Sequence, residues 1–416
     1  MPDGPPRVVA TGMGTVNPLG LTVEESWQRA LRGESGVGPI TLFDSSDLAV
    51  HIAAEVKDFD PTRYVDAKEA RRRDRFQLLA IPAVQQALAQ SGLTITPENA
   101  ERVGVMIASA VGGIGSIWRG VEAIDAEGPR RVSPFLIPMM MANGAAGLTS
   151  MDVGAMGPSL SLASACASGS DAIGAGWMML RAGMIDAALV GGAEATLLRI
   201  AIAAFDRTGA LSHRNDDYHR TPAPFDKNRD GLVMGEGAAV LVIETEAHAQ
   251  ARGAAVLAEI AGYGASADAF HVTAPRDDGA GGALAIRRAL ASAGAGPEEV
   301  DYINAHGTGT VLNDLSETRA IKAVFGAGAY DVPISSTKSM TGHMMGATPT
   351  LEAIFCIQAI RSGVIPPTAH LETPDPECDL DFVPRQARPH RVRLALSNAF
   401  GFGGHNSVVA FRAYEA

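Results

Sequence analysis

One cysteine and two histidines, each set among small residues, are the side chains of this 416-residue sequence whose types and settings suit covalent catalysis. Cys166 stands in Ser161-Leu-Ala-Ser-Ala-Cys166-Ala-Ser-Gly169. Before it, Pro158 to Ala163 reads as a short buried strand; after it, Asp171 to Ala182 reads as an amphipathic helix through Ile173, Trp177, Met178 and Leu180. A cysteine between the two sits at a helix N-terminus, where free backbone N–H groups and the positive end of the helix dipole favour the nucleophilic thiolate. His306 lies in Asn304-Ala-His306-Gly-Thr308-Gly-Thr310 and His343 in Lys338-Ser-Met-Thr-Gly-His343, each after a strand-like run. A thiol and two imidazoles can hold an acyl group as a thioester, donate hydrogen bonds to a developing enolate and move protons near neutral pH. Taken singly, each reads as a buried structural cysteine or a histidine satisfying a turn. Three at strand ends of one fold point to a site.

The elements that must position them alternate between strand and helix. Arg7 to Gly12 is a first strand, followed by a turn at Asn17 to Gly20 and a helix from Val23 to Arg32. A basic stretch from Lys68 to Arg75 precedes an apolar helix, Phe76 to Ser91, and a strand from Val103 to Ala108 runs into Gly112-Gly113. Gly128 to Arg131 is a basic turn, and Ala187 to Ala193 and Ala238 to Ile243 are further strands. The second half replays this order. Ala87 to Gly92, Pro97-Glu98 and Val103 to Ser109 correspond to Ala289 to Gly294, Pro297 to Glu299 and Val300 to His306. The helix ending Leu180 to Ile185 corresponds to that ending Ile360 to Ile365, and the strand from Ala187 to the strand from Arg393 to Gly401. A duplicated strand-and-helix unit is expected, with halves 1–255 and 256–416 and the cysteine turn matched to Ser335 to Ser339. Residues from the two halves then meet where their strand ends face each other.

Composition excludes several functions. Against 46 acidic residues stand 34 basic ones, a net charge of −12 that argues against a general nucleic-acid or anionic-membrane binder. Cys166, Cys356 and Cys378 form no CxxC pair and no signal peptide precedes them, so the expectation is free thiols in a reducing cytoplasm and no metal site. Every apolar run is interrupted by charge before the ~20 residues a bilayer requires, which predicts a protein outside the membrane. Gly12-Met-Gly14 follows a strand, yet Asn17 stands where a dinucleotide fingerprint has its third glycine, and no phosphate-binding GxxxxGK[ST] occurs.

Five segments give the chain a specific resemblance: Ala165-Cys166-Ala-Ser-Gly169, Pro224-Phe-Asp-Lys-Asn-Arg-Asp-Gly231, Asn304-Ala-His-Gly-Thr308, Ser335-Ser-Thr-Lys-Ser-Met-Thr-Gly-His343 and Ser397-Asn-Ala-Phe-Gly-Phe-Gly-Gly-His405. From Arg7 to Phe411 it resembles the type II elongating β-ketoacyl-[acyl-carrier-protein] synthases of the thiolase-like superfamily. The resemblance implies an α/β duplicated fold layered α-β-α-β-α around two mixed five-stranded sheets. It implies a triad of Cys166, His306 and His343 supported by Lys338 and Glu352, an oxyanion hole from the N–H groups of Cys166 and Phe402, and a gating loop with Phe400 and Phe402. By the same resemblance Thr308 and Thr310 bind a phosphopantetheine arm, Val111 lies at the far end of the acyl pocket, and Lys68, Arg71, Arg72, Arg130 and Arg131 dock an acidic acyl carrier protein. The implied reaction is decarboxylative condensation of malonyl-carrier with an acyl thioester by a cytoplasmic homodimer. The enzyme would hold no cofactor, because the carrier brings the phosphopantetheine. A ketosynthase of a specialised polyketide or long-chain lipid pathway is the alternative. A degradative thiolase is excluded because Cys378 lies outside the loop of Phe400 to Gly404, and a non-catalytic partner subunit because Cys166 is present.

Two departures from the family pattern stand out. Gly346-Ala-Thr-Pro-Thr-Leu-Glu352 replaces the usual Gly-Ala-Ala-Gly-Ala-Val-Glu, which requires Pro349 to fall in the first turn of a helix. Gly209-Ala-Leu-Ser212 replaces Arg-Ala-Leu-Ser, leaving Arg207 or Arg214 to compensate in carrier binding.

Overall fold

Runs rich in alanine and β-branched residues become strands buried on both faces, as Val8–Val16 and Ala187–Glu194 are along their whole length. The computed structural model describes residues 4–415. In chain order the main strands are β1 (Val8–Val16), β2 (Val103–Ala108), β3 (Ser159–Leu160), β4 (Ala187–Glu194), β5 (Gly237–Thr245), β6 (Ala258–Ala267), β7 (Tyr302–Asn304), β8 (Ile334–Ser335), β9 (Leu394–Gly401) and β10 (His405–Arg412). They lie side by side as β8-β7-β9-β10-β6-β1-β5-β4-β2-β3.

The duplication is visible in this order. From β1 outward, β5 and β4 each join antiparallel, then β2 and β3 join parallel. From β6 outward, β10 and β9 each join antiparallel, then β7 and β8 join parallel. The expected pair of five-stranded sheets is thus present, but the two are continuous: Val9 pairs with Glu259 and Ala10 with Ala258. Neither β1 nor β6 is left as an open edge.

Six helices complete five layers: α1 (Arg75–Ser91), α2 (Gly144–Val153), α3 (Ser168–Arg181), α4 (Ala280–Ala293), α5 (Val311–Phe325) and α6 (Thr348–Ser362). Helices α1 and α2 cover the outer face of the first five strands, and α4, with α5 beside it, covers that of the second. Between them lie α3 and α6, each packed on strands of both sets. Glycines set how closely the outer helices approach. A Cβ at Gly12 or Gly14 would fall 2.1 Å from Ala87 O and 2.0 Å from Ala83 O, and one at Gly262 or Gly264 would fall 2.5 Å from Ala289 O and 2.3 Å from Ala285 O. The pair Gly12 and Gly14 therefore serves helix-on-strand packing, with an equivalent pair in the second half.

Three local expectations need correction. The strand expected over Pro158 to Ala163 contracts to Ser159–Leu160, both exposed, because only one neighbour, β2, pairs with it. Helix α3 begins at Ser168, three residues before Asp171, and Cys166 occupies a single 3-10 turn, Ala165–Ala167, ahead of it. The stretch from Val103 to Gly113 is apolar with no polar face, which by itself suits a strand pairing across a two-fold axis; its strand, Val103–Ala108, is instead internal, between β4 and β3.

Candidate active site

The nucleophile turn is held against its own backbone preference. Ala165 has φ of +50°, a region costly for any residue with a Cβ. Around it, Ala167 N donates to Ser164 O at 3.0 Å, Ser164 N to Ser168 Oγ at 3.0 Å, and Ser168 Oγ to Ala165 O at 2.6 Å. Ser164 Oγ donates to Asp171, which also accepts from Tyr263 OH of β6 at 2.7 Å. The end of β9 presses on the same turn, since a Cβ on Gly401 would lie 3.0 Å from Cys166 N.

Both histidines come from the second half. His306 follows β7, and its backbone N–H and that of Gly307 donate to the Glu317 carboxylate of α5 at 2.8 and 2.7 Å. His343 stands just before α6, with Nδ1 3.1 Å from Thr348 Oγ1. The ligating atoms of Cys166, His306 and His343 all lie within 4.8 Å of one another, and the imidazole rings meet edge to face with centroids 5.5 Å apart. Lys338 donates from Nζ to Glu352 Oε1 at 2.6 Å, both side chains 1% exposed. Pro349 is the second residue of α6, where its missing N–H costs no helical hydrogen bond.

Burial dominates the electrostatics. It pushes the Cys166 thiol up to about 11, against the opposing pull of the Phe402 N–H and the Lys338 charge. The expectation of a resting thiolate therefore fails, because desolvation outweighs the N–H groups at the helix start. Burial, and after it the charge of Lys338, holds both imidazoles well below their ordinary value, so they are neutral at pH 7. Burial raises Glu352 to about 7 while Lys338 opposes the rise. A neutral thiol beside two neutral bases can lose its proton to an imidazole as it attacks.

Above the three side chains opens a cavity of about 270 Å³. Thr308 and Thr310 line it, their hydroxyl oxygens 3.0 Å apart, as do Phe400 and Phe402. Phe400 faces His306 with centroids 6.0 Å apart, and Phe402 stacks on Phe205 at 6.1 Å. Sequence reasoning missed two cavity residues. Asp268 accepts from Asn406 Nδ2 at 2.7 Å and donates from its backbone to Gly404 O at 2.9 Å, tying the 268–275 segment to the loop of Phe400 to Gly404. It missed Glu317 and Thr348 as well. No periodicity marks these polar residues, whose partners lie in other elements.

Other expected residues lie elsewhere. Val111 is 41% exposed and outside the cavity wall of the single chain. Lys68, Arg71, Arg130 and Arg131 are exposed and Arg72 is half-buried. Arg72 pairs with Glu69 at 2.7 Å and lies 4.6 Å over the Phe135 ring, which joins the Lys68 to Arg72 stretch to the segment after Arg131. Gly209 lines the cavity with φ of +71°, and Arg207 beside it is exposed. The signature from Pro224 to Gly231 is largely scaffold: buried Arg229 donates to Asp375 at 2.6 Å and lies 3.5 Å from Asp314. Asn304 Oδ1, Glu352 Oε2, Ser397 Oγ and Asn398 Oδ1 are each buried without a protein partner.

Residues 6–249 match the family described as Beta-ketoacyl synthase, N-terminal domain, and residues 257–372 match Beta-ketoacyl synthase, C-terminal domain. The chain belongs to the β-ketoacyl synthase family. This synthase is 48% identical over 409 residues to the 3-oxoacyl-[acyl-carrier-protein] synthase 2 of Synechocystis, covering 98% of each chain. It is 47% identical over 410 residues to the protein of the same name from Staphylococcus aureus, covering 99% of each. Among solved structures, the synthase superposes with a TM-score of 0.91 on the ishigamide ketosynthase/chain length factor, at 37% identity over 99% of this chain and 100% of that one. It matches equally, at 0.91 and 33% identity with the same coverage, a type II polyketide ketosynthase solved in complex with its acyl-carrier protein. No helix among the described residues of the synthase is long and apolar enough to cross a membrane.

Proposed function

We propose that the chain catalyses decarboxylative condensation of malonyl-acyl carrier protein with an acyl group held on Cys166, giving 3-oxoacyl-acyl carrier protein in fatty acid elongation. The observation that carries the reading is the meeting of one thiol and two neutral imidazoles within 4.8 Å at the foot of a cavity. Cys166 gives its proton to an imidazole and attacks the carrier-bound thioester. The carbonyl oxygen takes the charge at the N–H groups of Cys166 and Phe402, each worth roughly 10²-fold in rate. The carrier's thiol leaves with the proton. Malonyl-carrier then enters; its C–CO₂ bond breaks, carbon dioxide departs, and the electron pair passes into an enolate whose oxygen accepts from the imidazoles, with His343 donating through Nε2. The enolate carbon attacks the acyl-enzyme, the bond to Cys166 sulfur breaks, and the thiolate takes up one proton from solvent. Lys338 and Glu352 set the charge behind the imidazoles, and Thr308 and Thr310 hold the phosphopantetheine arm.

Several further assignments belong to this reading. The partner is an acidic acyl carrier protein docking at Lys68, Arg71, Arg72, Arg130 and Arg131, and the enzyme needs no cofactor of its own. We place it in the cytoplasm and divide it into halves 1–255 and 256–416. A homodimer is supported by the exposed edge strand β3, where Leu160 is 41% exposed, and by Ile117, Trp118, Val121 and Ile124, which reach solvent from the helix Ile114–Glu127. The higher identity to the 3-oxoacyl synthases than to the polyketide ketosynthases favours fatty acid elongation over a specialised pathway. Incubation with acyl-carrier and malonyl-carrier should yield a chain two carbons longer, with the acyl mass on the Cys166 peptide. Product formation by Cys166→Ala at the wild-type rate would overturn the reading.

A further inference from the structure

Thr348 occupies a position where the family run has alanine, and its hydroxyl lies 3.1 Å from Nδ1 of His343. We propose that Thr348 is a positioning residue for the condensation: its hydroxyl donates to Nδ1 and so fixes His343 as the tautomer that carries its proton on Nε2, facing Cys166. This rests on the condensing role of His343 given above.

The direction of the hydrogen bond follows from what surrounds it. His343 is buried and neutral, so one ring nitrogen carries a proton and the other a lone pair. Nδ1 faces the first residue of α6, a helix of 15 residues, and the positive end of the helix dipole favours a lone pair there over an N–H. A donor must then meet that lone pair. Of the N–H groups next to it, that of Thr348 is taken by Met345 O, that of Ala347 by Met344 O and that of Gly346 by Glu194, and Pro349 has none. Among the described residues Thr348 Oγ1 makes no other hydrogen bond, and Thr348 is fully buried, so water does not compete for it. Its β-branched side chain has few rotamers, which keeps the hydroxyl in place.

The consequence is a division of labour between two otherwise similar rings. His343 Nε2 is buried without a protein partner, an N–H donor kept for a substrate oxygen. His306 Nδ1 is buried with no partner at all, so nothing holds its tautomer and it can take up and return the Cys166 proton. Of the two residues that replace the usual Ala-Gly, Thr348 is the one that brings a donor to Nδ1.

The test compares Thr348→Val, which keeps the shape and loses the hydroxyl, with Thr348→Ser, which keeps the hydroxyl. With acyl-carrier and malonyl-carrier as substrates, Thr348→Val should lose about tenfold or more in kcat for decarboxylation and condensation. KM for malonyl-carrier and the rate of Cys166 acylation should stay at wild-type values, and Thr348→Ser should recover most of kcat. In protein labelled with ¹⁵N-histidine, the His343 signal, assigned by its loss in His343→Asn, should show one protonated Nε2 in wild type and in Thr348→Ser and a tautomer mixture in Thr348→Val. If valine does not fold, Thr348→Ala takes its place with the same expectations. Wild-type kcat in the variant lacking the hydroxyl, or equal loss in the valine and serine variants, would overturn the proposal. A wild-type enzyme that showed the Nε2 tautomer but made no condensation product would instead overturn the functional reading on which it stands.

Discussion

Lys338 and Glu352 form an ion pair of 2.6 Å with both side chains 1% exposed, close enough to the neutral imidazoles of His306 and His343 for the Lys338 charge to act on both. Removing one partner leaves the other buried without compensation, which costs about 3–5 kcal/mol, whereas removing both costs far less. Lys338→Met and Glu352→Gln should each lower the unfolding free energy by about that amount, and the double variant by less than the sum. Denaturant titration of the three proteins checks this; additive losses would mean the pair is not coupled.

The high pKa of Cys166 predicts how it reacts. The thiolate fraction of a thiol pushed up to about 11 rises about tenfold per pH unit from 7 to 10. Iodoacetamide labelling of the free enzyme should climb with that slope, and an activated thiolate would give a flat profile instead. Cys166 should still label ahead of Cys356 and Cys378, because it opens on the cavity while they are buried in apolar clusters. Substoichiometric cerulenin should follow the same order and abolish condensation; first labelling at Cys356 or Cys378 with activity retained would remove Cys166 from its role.

Charge reversal at Arg71 and Arg72 should raise the KM for carrier protein several-fold and flatten its salt dependence, since rim charges act chiefly on encounter. The cavity is separate from these side chains, so cerulenin labelling should not change. Steady-state kinetics at two ionic strengths decides it, and an unaltered KM would make the basic stretch an ordinary solvated surface.

Val111→Phe tests whether a second copy completes the acyl pocket. In one chain this side chain lies outside the cavity, 41% exposed, so a bulky replacement there should matter only if a partner encloses it. Short acyl chains should condense normally and long ones fail, because an overfilled pocket cannot admit the terminal methylenes. Sedimentation should report a dimer for both proteins. A wild-type ratio of long to short products would remove Val111 from the pocket.

Cys166, His306 and His343 were legible because reactive side chains stood among small residues at the ends of apolar runs, and the repeat placed them on facing strand ends. The doubled strand order was legible for the same reason: Ala87 to Ser109 and Ala289 to His306 share their punctuation. The state of the thiol was not, since it is buried in a cluster with Leu197, Ile202 and Met345, which lie outside the cysteine turn in the sequence. Nor was the role of Asp268, just past the end of β6, whose partner Asn406 lies on β10, or of Glu317, an acid on an otherwise ordinary helix. The short β3 misled because Pro158 to Ala163 is apolar enough for a core strand, yet it has a neighbour on one side only.

Because Cys166 lies in the first half and both imidazoles and the Phe402 N–H in the second, the order of synthesis separates them. A growing chain carries Cys166 long before its imidazoles exist, and the turn that bears it gains its last wall only when the end of β9 arrives. On the proposed mechanism the thiol therefore emerges from the ribosome before the imidazole that takes its proton, acylation waits for a finished molecule, and an incomplete chain does not trap the carrier that a complete one is built to unload.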